Sequence, residues 1–199
     1  MSILNGIIPQ RNFELVRDRI AEILADEFAN QFLLTSNPDF DLDVWVERTI
    51  PFDKEELPTI NVSIATGVYA NQTVKQTEGT YTYFIDCFTK AKTTEDDDGD
   101  VVASVKLHRM LGMCQAILEN PGYKTLGFTA PYLSNRHIER LDIADPGKQD
   151  AINARMGRLS LSVRVIETTE LKEASLLASS FTTVKPHSTE KGYFYAVYS

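Results

Sequence analysis

The densest set of potential metal ligands in this chain is the run Glu95-Asp96-Asp97-Asp98-Gly99-Asp100. Calcium loops of the EF-hand kind place carboxylates at alternating positions around a central Gly and close with a distal Glu. Here Ser104 and Val105 stand where that Glu would be needed. A helical pattern follows the run, and carboxylates at a helix N-terminus are favoured by its dipole. The run therefore reads as a solvated, helix-capping loop. Its alternatives are weak divalent-cation binding and a charged surface with a function of its own. The histidines His108, His137 and His187 have no second His or Cys at ligand spacing. The chain has no Gly-rich phosphate loop and no GxSxG elbow. These residues predict no catalytic set, no metal site and no cofactor, and hence a protein that is not an enzyme.

Two other groups of residues suit contacts rather than catalysis. Arg136, Arg140, Arg155, Arg158 and Arg164 gather in the second half of the chain. They are either solvent-facing strand residues that deter edge pairing or subunit-contact residues that meet carboxylates of a neighbouring copy. Near the C-terminus, Tyr193, Phe194, Tyr195, Val197 and Tyr198 form an aromatic, strand-prone stretch beyond a polar segment. Such a stretch either folds back on its own sheet or adds a strand to a partner's. The cysteines, Cys87 and Cys114, are too few for a disulfide framework. Each sits in an apolar pattern and reads as a small buried residue in a reducing compartment.

The elements that position these residues follow from periodicity. Ile60, Val62 and Ile64 alternate with polar residues. So do Tyr81, Tyr83, Ile85 and Cys87, and so do Leu159, Leu161, Val163 and Val165. A period of two places each set on one face of a strand. The spacing predicts strands over 42–50, 59–66, 80–89, 136–143 and about 154–168. Gly67 ends the second, and 69–78 is a loop or an extended strand start. In the strand at 136–143, His137, Glu139 and Leu141 fall on one side and Ile138 and Arg140 on the other. Apolar residues three and four apart predict a helix from a cap at Asn12 to about Gln31. A second helix runs from a cap at Asp100 to about Asn120, stopped by Pro121-Gly122. The fold class is α+β: a mainly antiparallel sheet with two helices packed on one face, plus a C-terminal extension. The division is a domain over 1–168 and an arm over 169–199.

The formal charge is -8. Phosphate binding needs clustered Lys and Arg, so a general affinity for nucleic acid is not expected. The N-terminus lacks the basic and apolar regions of a signal peptide. No stretch approaches the roughly 18 apolar residues of a membrane span.

The order of elements resembles the tail-terminator proteins of tailed bacteriophages over about residues 11 to 168. An N-terminal helix from Phe13 to Gln31 leads to the strand Pro58-Thr-Ile-Asn-Val-Ser-Ile64. Then come a long strand through Tyr81-Thr-Tyr-Phe-Ile-Asp-Cys-Phe88, a loop, the helix Val101 to Asn120 and the closing strand Arg158-Leu-Ser-Leu-Ser-Val-Arg-Val165. The resemblance implies a structural virion protein, assembled in the host cytoplasm into a hexameric ring that caps the head-proximal end of the tail tube. Such a ring stops tube growth and offers the head-tail joining surface. The implied partners are other copies of the chain, the tail-tube protein and the neck or connector protein, with the tail sheath a further candidate. DNA would pass without specific binding, and Glu95, Asp96, Asp97, Asp98 and Asp100 would face the channel and repel phosphate. The shorter members lack a counterpart of the segment after Thr168, in which Tyr193, Phe194, Tyr195 and Tyr198 are the candidate arm contacts. Alternatives are a neck or head-completion protein of the same joint and a small ligand-binding or enzyme domain.

Overall fold

The structure is a computed structural model, and it describes residues 7–50, 52, 56–72, 76–94, 98–129, 132–144 and 152–168. The chain divides into two units, residues 10–169 and residues 1–9 with 170–199. The account below is of the first.

Helix α1 spans Asn12–Thr35. Val16, Ile20, Ala21, Ile23, Leu24 and Phe28 are buried along one side of it. Asn12 is the first helical residue, and the cap position belongs to Arg11. The first-turn donors are instead met from the far end of the chain. The Asn12 and Phe13 N–H groups donate to the two carboxylate oxygens of Glu167, at 2.9 and 2.8 Å. The Asn12 side chain donates to the Ile166 carbonyl. The helix continues past Gln31 because Phe32 still packs on the core. It ends where Ser36 turns left-handed, φ 53°, ahead of Asn37-Pro38.

A 3-10 turn at Pro38–Phe40 leads to strand β1, Asp43–Val46. Strands β2, Thr59–Gln72, and β3, Gln76–Lys92, form a long antiparallel hairpin. Helix α2, Gly99–Glu119, is followed by a 3-10 turn at Pro121–Tyr123. Strands β4, Leu133–Ala144, and β5, Ile152–Thr168, complete one sheet of order β1-β2-β3-β5-β4. Only β1 and β2 run parallel; the other pairs are antiparallel.

Both helices pack on one face of this sheet. Tyr83, Ile85, Cys87, Leu159, Leu161 and Val163 from the strands meet Ile20, Leu24, Leu107, Leu111 and Cys114 in a single core. At about 25 cal/mol per Å² of apolar surface, this contact is what holds the layers together. The same burial explains the composition of α2. It is long and apolar enough to cross a membrane by length and composition, against the sequence expectation. Its apolar stripe is spent on β3 and β5.

Gly67 does not end β2. It pairs with Tyr81, and a Cβ there would stand 2.6 Å from that ring; a Cβ at Gly79 would stand 2.9 Å from it. The two glycines make room for Tyr81, which stacks on Phe13 at 5.0 Å. In β4 the register slips between Ile138 and Arg140. Glu139 is the extra residue of a bulge, so Leu141 pairs with Leu159 on the same face as Ile138 rather than beside His137.

Candidate functional site

The face of the sheet away from the helices carries paired charges. Asp86 is buried on β3. Across the ladder, Arg158 donates to both of its oxygens, at 2.6 and 2.8 Å, and lies 3.9 Å over the Phe84 ring. A bidentate pair of this kind is among the stronger charge-assisted contacts. It raises the Arg158 guanidinium above its ordinary value, the Asp86 hydrogen bond being the main cause. Arg164 meets Glu78 in the same way, at 2.7 and 2.8 Å. Next to them Arg48 lies 4.4 Å from the centres of the Trp45 and Phe52 rings, and Phe52 packs on Phe88 at 5.0 Å.

The remaining candidate arginines also have partners in their own chain. Arg136 donates to the Leu118 and Asn120 carbonyls, placing a cation at the C-terminus of α2 where the helix dipole favours one. Arg155 pairs with Asp100 at 2.5 Å. Arg140 pairs with Asp142 at 2.6 Å but stays largely in solvent. Of the five, Arg136, Arg155, Arg158 and Arg164 tie elements of the same chain together. Arg140 is the one most open to a neighbour, its side chain 72 % exposed.

The acidic run is only partly within view. Asp98, not Asp100, caps α2, its side chain accepting the Asp100 N–H. Asp100 sits in the first turn and holds Arg155. Glu95, Asp96 and Asp97 lie outside the described residues, and so do Tyr193, Phe194, Tyr195 and Tyr198. His108 and His137 are exposed, and His137 lies 3.8 Å from Glu139. Among the described residues no group of His, Cys, Asp and Glu could hold a metal ion.

Concavities lie on the helix side, among them the following two. A groove of about 550 Å³ runs between the end of α2 and β4, lined by Leu118, Pro121, Leu133, Arg136 and Ile138 among others. The half-buried Arg136 in its lining is committed to carbonyls. A cavity of about 140 Å³ beside the turn at Pro38–Phe40 is lined by Lys90, Lys106 and Arg109, with Lys106 paired to Asp39. Neither brings together a nucleophile, a base and a group to orient it.

Cys87 and Cys114 are buried with sulfurs 3.8 Å apart. The contact with Cys114, then burial, pushes the Cys87 thiol well up, so the reactive thiolate is suppressed. Sequence reasoning missed Glu167 as the cap of α1 and Asp86 as the buried partner of Arg158. Asp86 and Arg158 both stand out in the strand patterns as polar-face residues. Which of them pair depends on the β3–β5 register, a long-range property.

A comparison with known protein families and with curated proteins gives no match.

Proposed function

We propose that this chain is a structural protein of a phage virion, a tail terminator that forms a ring on the head-proximal end of the tail tube. The observation that carries the reading is the order of elements: helix, strand hairpin, helix and closing strand in one sheet, with both helices on the same face. That is the arrangement the resemblance calls for. A second support is the use of charge. The ion pairs of Arg158 with Asp86, Arg164 with Glu78 and Arg155 with Asp100 brace the chain from within, as a scaffold requires. On this reading the protein has no catalytic activity. It acts by assembling with copies of itself, with the tail tube below and the neck above, while DNA passes through.

The test is tube growth. Tail-tube protein polymerised with this chain present should give tubes closed at one end by a ring and limited in length. Tubes that grow to the same length with and without it, and bear nothing on their ends, would overturn the proposal. Binding to neck components with no effect on tubes would assign the chain to the other side of the joint.

A further inference from the structure

Cys87 and Cys114 are the two cysteines of the chain. They stand 27 positions apart, one on β3 and one on α2, and their side chains meet sulfur to sulfur at 3.8 Å. The approach has a structural cause. On β3, Cys87 faces Gly157 of β5 across the ladder. A Cβ at Gly157 would lie 2.6 Å from Leu111 and 3.4 Å from Leu107 of α2. The helix therefore comes down onto the sheet where β5 has no side chain. Leu107, Leu111 and Cys114 follow one another along one buried side of α2. The close approach that seats the two leucines over Gly157 also brings Cys114 to Cys87. Both thiols are free and fully buried.

We propose that this pair is an oxidation site, at which a hydroperoxide converts Cys87 and Cys114 to a disulfide that fastens α2 to β3. The proposal stands apart from the ring reading. In the first step the sulfur of one cysteine, its proton given up, attacks an oxygen of hydrogen peroxide. The O–O bond breaks, a sulfenic acid forms, and the departing hydroxide takes the thiol proton and becomes water. In the second step the other sulfur attacks the sulfenic sulfur. The S–O bond breaks, and the hydroxide that leaves takes the second thiol proton. Two thiols and one peroxide thus give a disulfide and two waters; the sulfurs lose two electrons and the peroxide gains them. For the bond to form, the sulfurs close from 3.8 Å to about 2.05 Å. Burial keeps the Cys87 thiol protonated, so the first step is slow and the pair stays reduced until oxidant persists. The second step is fast, because the resolving thiol is already in contact with its target, and it forestalls further oxidation to sulfinic acid. The disulfide closes a loop between β3 and α2 and so restricts the unfolded chain.

The test treats the folded, reduced full chain with hydrogen peroxide, then unfolds it in the presence of iodoacetamide and maps the peptides by mass spectrometry without reduction. Trypsin cuts between the two cysteines, at Lys90, Lys92, Lys106 and Arg109, so a link shows as one joined pair of peptides. The expected product is a disulfide between residues 87 and 114 of the same chain, with neither thiol alkylated and both recovered by dithiothreitol. The oxidised chain should melt at a higher temperature than the reduced one. Cys114→Ala, treated in the same way, should give no link and carry oxygen at Cys87 instead. Two alkylated thiols after prolonged treatment would overturn the proposal. So would sulfinic acids on the separate cysteines, or a link found only between different chains. A link that forms and leaves the melting temperature unchanged or lowered would overturn the fastening of α2.

Discussion

At the scale of the residue, Glu167 does more for the fold than its position near the end of β5 suggests. It is 2 % exposed and accepts the first two N–H groups of α1. In Glu167→Ala both donors lose their partner in a buried setting. Losing a helix cap and stranding such donors costs about 1–3 kcal/mol. The expected result is a lower denaturation midpoint with unchanged denaturant slope, read by circular dichroism. A second residue-level outcome concerns alkaline pH. Burial, then the Glu167 charge, pushes the Tyr132 hydroxyl from its ordinary 10.0 to about 12. Burial is also the main cause that raises Tyr83. Between pH 10 and about 12 the unfolded chain gives up the Tyr132 proton and the folded chain keeps it. Stability is therefore whole below pH 10 and falls as the pH climbs through about 12. A melting temperature that holds steady from pH 9 to 12 would contradict this.

At the scale of the element, most of the fold is legible in the sequence. The strands around Ile60, Tyr83 and Leu161 and the two helices stand where apolar periodicity puts them, because each buries one face and leaves the other wet. What periodicity does not carry is how far an element runs. Gly67 looks like a strand end, and the hairpin goes past it because Tyr81 fills the space a side chain would take. Leu141 changes sides at a bulge whose cause lies in pairing with β5. The candidate site was legible in composition only: the five arginines are visible, but their partners are set by register. Gly157 offers a test of packing at this scale. A Cβ there would lie 2.6 Å from Leu111 Cδ1 and 3.4 Å from Leu107, so α2 approaches β5 too closely for any side chain. Gly157→Ala should force α2 outward at a cost of about 1–3 kcal/mol, measured by thermal denaturation. An unchanged midpoint would show that Leu111 can turn away freely.

At the scale of the whole molecule, the sheet has one face under helices and one face braced by ion pairs. On the ring reading, the segment after Thr168, with its aromatic end at Tyr193 to Tyr198, is the candidate arm. Deleting residues 170–199 should leave the sheet and both helices folded by circular dichroism, since Glu167 and its helix contacts are retained. It should weaken the assembled joint in particles seen by electron microscopy. A truncated chain that unfolds would place those residues in its own sheet instead. One that folds and still caps tubes as the full chain does would leave them no part in assembly. The central claim is that this chain works as a closed ring on a tube end. Electron microscopy of tail tubes mixed with the purified full chain tests it most directly. The account predicts a ring of repeated subunits, hexameric, on one end of each tube, with a central passage. Bare tube ends, or single copies scattered along the tube wall, would contradict it.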